Sequence, residues 1–393
     1  MKIRLLLILL ILFTLPSNGQ RLVSVLSQKS IHAAAQIDSI QAEFGSLYDL
    51  SPYHFLFEAA GKVCRRVHFV ALEYKTQDPL GRDVIASGLL AYPEHGRFRG
   101  SIEIAPISKT RQSCGSANTF SIECIPSMMG YVVLVPDTIG YGSSEDLPIS
   151  FLMSRNIALV SAHFREAARE FLSSLPKPKK LPAETIFFGY SLGAPGALET
   201  AAYYSNHPEC QVKVKTLYLA GGAFDPALSA RSTLSVGESA YIIYPSLIQS
   251  LRYWMRLDLH DDKLFQGKVL EDIDRFTCGR YDVTDLTREY GRDIHTYMHP
   301  DFFTPRQNDD IRLMMEGLER LRVPSVPLQL SRDTKIYLRS SLEDRHVPVE
   351  STDQLYRQLR DQGFWNVTYY RDQKGSHYDA GVKSFIDLFI MIL

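Results

Sequence analysis

The chain predicts an α/β fold: an eight-stranded, mostly parallel sheet with helices on both faces. Three features of the 393-residue sequence lead there. Short apolar runs of strand length alternate with segments whose apolar residues recur at helical spacing. The runs are continuous rather than alternating, which suits strands buried on both faces between helical layers. The turn signal Asp78-Pro79-Leu80-Gly81 joins the first two runs as a hairpin, before the helix-separated series begins.

In chain order, Lys2 and Arg4 precede an apolar stretch from Leu5 to Leu15, and the polar Pro16-Ser17-Asn18-Gly19-Gln20 follows. Charge, apolar core and small polar residues in that order predict a secretory signal peptide over 1–20. As a helix the apolar stretch rises only about 16 Å, short of a bilayer core of about 30 Å. No later apolar run approaches ~18 residues. A soluble exported protein, periplasmic or secreted, is therefore expected, with no stable membrane span once the signal is removed. Residues 21–63 are expected to form an N-terminal helical extension, with Ile31 to Phe44 as its best helix.

The hairpin runs are Val67 to Tyr74 and Val84 to Ala91. Ser101 to Ala105, Tyr131 to Val135, Thr185 to Phe188, Lys215 to Ala220, Lys335 to Arg339 and Asn366 to Tyr370 complete the set of strands. Between them Ile157, Val160, Phe164, Ala167 and Phe171 repeat at helical spacing, as do Leu355 with Leu359 and Phe385 with Leu388 and Phe389. About 110 residues separate Ala220 from Lys335. A structureless loop of that length is implausible in a compact domain, so a helical cap over 223–333 is expected, inserted between the sixth and seventh strands. The sheet domain then comprises 64–222 and 334–393.

Composition excludes several functions. Lys and Arg number 43 against 44 Asp and Glu, and 45% of residues are apolar, which excludes a disordered chain and leaves no basic excess for nucleic acid. Five Cys residues are too few for a disulfide scaffold and lack metal-binding spacing. Cys114 and Cys124, ten residues apart in one loop region, are the best candidate pair. His295 and His299 have metal-like spacing but lack the Glu of a zinc protease motif.

The chemistry-bearing stretch is Thr185 to Ala197, which reads as a strand, then Gly189-Tyr190-Ser191-Leu192-Gly193, then a helix start rich in small residues. A nucleophile on a tight strand-to-helix turn sits in a strained backbone, and the residues two before and two after it must lack bulk. The helix N-terminus behind Ser191 offers N–H groups to a developing oxyanion. Serine needs a base, and the base an orienting acid. His377, in Lys374-Gly375-Ser376-His377, lies just past the last strand, at the edge where such sheets place their sites. Asp344 follows the seventh strand and is the candidate acid, with Glu343, Asp372 and Asp379 as competitors. The order Ser, Asp, His is that of α/β-hydrolases.

From about residue 64 onward the chain resembles an α/β-hydrolase, and within that superfamily the secretory lipase-like esterases. The matching segments are Ala86 to Pro93, Gly130 to Ser144 with its Pro136-Asp137 and Gly140-Tyr141-Gly142, Gly189 to Gly193, and Asp344-Arg345-His346-Val347-Pro348. The resemblance implies catalytic roles for Ser191, Asp344 and His377, a cap between strands six and seven, and carboxyl-ester substrates, small-molecule or lipid-like. Family members often carry His-Gly after the third strand, where this chain has Ile104-Ala105-Pro106-Ile107-Ser108. The oxyanion donors are expected to be the N–H of Leu192 and that of Ile107 or Ser108, since Pro106 has none to give. Asp137 is expected to hold the Gly-rich turn beside the site. No metal or organic cofactor is required. A peptidase or other amide hydrolase on the same scaffold is the alternative; a reader of basic N-termini would need an acidic pair in the cap, such as Asp261-Asp262 or Asp309-Asp310. An inactive binding protein of the same fold is the third reading.

Overall fold

The computed structural model describes residues 19–33, 35, 38, 54–106 and 122–393. Most of the expected signal peptide, Cys114, Ile107 and Ser108 lie outside these residues. Among the described residues nine strands form one sheet in the order β1-β2-β3-β5-β4-β6-β7-β8-β9. They are β1 (Leu22–His32), β2 (Arg66–Gln77), β3 (Asp83–Pro93), β4 (Gly100–Ile104), β5 (Tyr131–Pro136), β6 (Glu184–Tyr190), β7 (Lys213–Ala220), β8 (Lys335–Ser341) and β9 (Val367–Asp372). From β5 across to β9 every pairing is parallel, whereas β1, β2, β3 and β5 pair antiparallel.

The extra strand is a correction. Leu22–His32 was expected in a helical extension but pairs antiparallel with β2, from Leu22 opposite Tyr74 to His32 opposite Arg66. Two register shifts, between Leu22 and Ser24 and between Val25 and Ser27, break the two-residue alternation. Apolar residues then fall at helix-like intervals although the backbone is extended. Pairing satisfies the edge groups β2 would otherwise expose. Of the candidate helix Ile31 to Phe44, Ile31 and His32 belong to this strand, and most of the rest lies outside the described residues. Helix α1 (His54–Val63) ends the extension.

Alternate residues of the central strands bury into opposite layers. Ile186, Phe188 and Tyr218 pack with Phe385, Leu388 and Phe389 of the C-terminal helix. Phe187, Leu217 and Leu338 pack on the other face with Ala197, Leu198 and Ala201, joined by Leu355 and Leu359. The helices concerned are α2 (Ser154–Ser174) and α3 (Gly193–Asn206) after β5 and β6, α8 (Val349–Asp361) after β8 and α9 (His377–Ile392) after β9.

Between β7 and β8 the chain forms the cap, with helices α4 (Pro226–Val236), α5 (Tyr244–Trp254), α6 (Val283–Tyr290) and α7 (Asp309–Arg320) and several shorter turns. Asp225 caps α4 by accepting from the Leu228 N–H at 3.0 Å, and Gly237 ends it at φ +77°. The cap is no separate lobe: Ile248, Leu251 and Trp254 share one apolar cluster with Val70 and Leu90 of the sheet and Phe164 of α2. Among the described residues no helix is long and apolar enough to cross a membrane.

Candidate active site

Strand β6 runs into α3 through Ser191, whose φ is +55°. A non-glycine residue held there costs of order 1–3 kcal/mol and persists only where its surroundings force it. They do. A Cβ on Gly189 would stand 2.4 Å from the Gly193 oxygen, and one on Gly193 would stand 2.7 Å from the Ala105 oxygen. The Ser191 N–H donates to the Ala220 oxygen at 2.8 Å, tying the turn to the end of β7. The side chain is left standing at the C-terminal edge of the sheet.

The structure brings Ser191, Asp344 and His377 together. The Ser191 hydroxyl lies 2.9 Å from His377 Nε2, and His377 Nδ1 lies 2.6 Å from Asp344 Oδ2. A carboxylate only accepts, so Nδ1 carries the proton and Nε2 is free to accept from Ser191. Asp344 Oδ1 accepts the N–H groups of His346 and Val347, both at 2.9 Å. The loop after β8 thus folds around its own carboxylate, whose side chain is fully buried. His377 opens α9, where Ser376 and Asp379 form a reciprocal capping box. The Tyr190 hydroxyl donates to the His377 carbonyl at 2.9 Å, and the two rings lie 5.0 Å apart.

The competing acids are engaged elsewhere. Glu343 accepts the Gly375 N–H at 2.9 Å, Asp372 pairs with Arg339 at 2.6 Å, and Asp379 is part of the capping box. Asp137 accepts from the Ser87 hydroxyl at 2.7 Å, and Ser87 Oγ accepts the Ser143 N–H at 2.9 Å. That chain of bonds pins the Gly140-Tyr141-Gly142 turn to the hairpin. His295 bonds to Asp293, and His299 accepts the N–H of Asp301, so each serves its own turn.

Sequence reasoning missed Gly221 and the segment at Phe151. Gly221 has φ +53°, and a Cβ there would stand 3.1 Å from His377 Cε1, so the glycine gives the imidazole its room. The Gly221-Gly222 pair after β7 was a readable signal for this. Burial and then the neighbouring His377 push the imidazole of His346 below its usual value. The two rings meet edge-on at 5.8 Å.

Above Ser191 the cap helps to line a partly open cavity of about 300 Å³. Phe151, Leu152, Ala230, Ile243, Tyr244 and Leu247 supply much of its apolar wall. Tyr241 and Tyr244 of the cap face the cavity, while Tyr253 packs edge-on against Trp254. None of the acidic residues Asp261, Asp262, Asp309 and Asp310 lines it. Leu192 lies at the cavity immediately before α3. The chain leaving β4 at Ala105 and Pro106 passes beside Gly193.

No family model matches this sequence, and no curated protein sequence matches it either. Solved structures do match in shape. The rice cell wall degrading esterase LipA from Xanthomonas oryzae superposes with a TM-score of 0.72 at 18% identity, covering 94% of this chain and 97% of that one. A putative hydrolase from Legionella pneumophila gives 0.71 at 17% identity, over 95% and 98% of the two chains. Candida antarctica lipase A in its closed state gives 0.55 at 12% identity, over 93% and 82%. With its mostly parallel sheet, inserted cap and serine-bearing turn, this chain has the α/β-hydrolase fold.

Proposed function

We propose that this protein is an exported serine hydrolase that cleaves carboxylic esters through an acyl-enzyme on Ser191. The observation that carries the reading is the relay itself: hydroxyl, imidazole and buried carboxylate at 2.9 and 2.6 Å, on three distant parts of the chain. His377 takes the proton of Ser191 as the oxygen attacks the ester carbonyl. Asp344 holds the imidazole tautomer and stabilises its charged form. The N–H of Leu192, with that of Ile107 or Ser108, binds the tetrahedral oxyanion; one such donor is worth about 10²–10³ in turnover. His377 returns its proton to the departing alcohol and then activates the water that cleaves the acyl-enzyme. The chemistry calls on no metal or organic cofactor. Export rests on the charged and apolar N-terminal pattern over 1–20.

The substrates are small-molecule or lipid-like esters with short or medium acyl chains. The cavity volume supports this, lying at the low end of the ~300–1,000 Å³ usual for ligand pockets. A fluorophosphonate probe should label Ser191, and Ser191→Ala should abolish both labelling and turnover of p-nitrophenyl butyrate. Ester turnover that survives Ser191→Ala ends the proposal. A matched set of p-nitroanilides separates amide from ester cleavage.

A further inference from the structure

A second, much smaller cavity of about 10 Å³ lies behind the first. Phe151, Ile243 and Val283 line both, so a single layer of side chains separates them. On the far side stand Tyr141, Ile149 and Leu286, with the polar Ser246 and Arg275 beside them. We infer that Phe151, Ile243 and Val283 form the partition that ends the acyl pocket and sets the longest acyl chain the site accepts. This rests on the ester hydrolase reading above and adds which residues set its chain-length limit.

The partition is stiff where it matters. Leu152, at the cavity edge, has φ +60°, a conformation that a leucine keeps only under constraint. The strand of chain leading to it is held at three consecutive residues. The Trp254 Nε1–H donates to the Ile149 carbonyl at 3.1 Å, the Ser150 N–H donates to the Ile139 carbonyl at 2.8 Å, and the Ser250 hydroxyl donates to the Phe151 carbonyl at 3.1 Å. Ile149 also donates its N–H to the Thr277 carbonyl at 2.9 Å. The backbone at Phe151 is therefore fixed between the turn at Ile139 and α5, so the chain sets where the wall stands and the side chains it carries set how deep the pocket runs. Truncating those side chains extends the pocket toward the smaller cavity.

The test is the acyl-length profile of Phe151→Ala and Ile243→Ala, measured on p-nitrophenyl butyrate, octanoate, dodecanoate and palmitate. Fluorophosphonate labelling of Ser191 and a cooperative thermal transition show that each variant is folded with its site assembled. The wild-type protein should favour butyrate and octanoate. In the variants the dodecanoate-to-butyrate ratio of kcat/KM should rise about tenfold or more, the order of discrimination that a methylene or two commands in an apolar pocket. Because Ile243 is only half-buried, its variant remains informative if Phe151→Ala does not fold. A parallel series of acetates with lengthening alcohols should not shift. If the alcohol series shifts and the acyl series does not, the partition bounds the other half of the ester and the inference is overturned. Unchanged ratios in a labelled, folded variant overturn it as well, while leaving the hydrolase reading standing. Absence of both label and turnover in the wild-type protein overturns both.

Discussion

Around Ser191 the backbone itself is crowded, with carbonyl oxygens 2.4 and 2.7 Å from where a methyl group on Gly189 or Gly193 would stand. Across the cavity the wall is made of side chains, Phe151, Ile243, Tyr244 and Leu247, projecting from the loop before α2 and from the cap. The first region admits almost one residue type per position, because a backbone clash cannot be relieved by choosing another rotamer. The second can be built many ways, since any set of apolar side chains of similar volume fills the same space. On the reading proposed above, the chemistry rests on the first kind of construction and substrate selection on the second.

That comparison can be tested, beginning with the largest effect. Asp344→Asn should keep the geometry but spoil the imidazole tautomer, lowering kcat about 10⁴-fold with little change in thermal stability. A loss under tenfold would mean that the relay does not depend on its acid. Acid sensitivity comes next, and it resides on the sheet side. Burial, with a smaller contribution from Arg21, pushes the His163 imidazole down to about 3, and its Nδ1 lies 2.9 Å from Thr76 Oγ1. The folded state stays neutral while the unfolded chain takes up a proton near the ordinary value of about 6.5. The contribution is thus complete above about pH 6.5. It is lost as pH falls toward about 3, at about 1.4 kcal/mol per pH unit. His163→Gln should therefore lose less unfolding temperature than wild type between about pH 7 and pH 5 by calorimetry.

Gly189→Ala should follow, destabilising the fold by about 1–3 kcal/mol through the added methyl group and cutting Ser191 labelling sharply. A well-folded, fully labelled Gly189→Ala protein would break the contrast between the two regions. The smallest effect is expected in the cap. Asp225→Ala removes the N-cap of α4, and with it the 2.7 Å pair with Arg322, for about 1 kcal/mol. Asp225→Asn should recover most of it, and hydrogen exchange should place the loss within α4.

Much of this is legible in the sequence. Gly189 and Gly193 announced the nucleophile turn because the steric demand is local, and the parallel strands announced themselves by continuous apolar runs. Asp344 could be narrowed to a short list but not separated from Glu343, Asp372 and Asp379 by sequence. What distinguishes it is a set of hydrogen bonds: two N–H groups from its own loop on one oxygen and His377 on the other. Strand β1 was hidden because its two register shifts erase the alternation that marks a strand. Phe151 and Leu152 gave no sign at all, since an apolar pair beside a helix start looks the same whether it fills a core or walls a pocket.

By itself the amino-acid sequence determined the alternation of strands and helices, the turn that holds a serine in a strained conformation, and the residue types able to activate it. These are short-range consequences of sterics and of side-chain chemistry. Tertiary structure alone decided which carboxylate meets the imidazole, how the cap closes over Ser191, and which side chains divide its cavity. Those depend on contacts between residues well separated along the chain, 33 positions for Asp344 with His377 and 99 for the Ser250 hydroxyl with Phe151, and no local pattern encodes them.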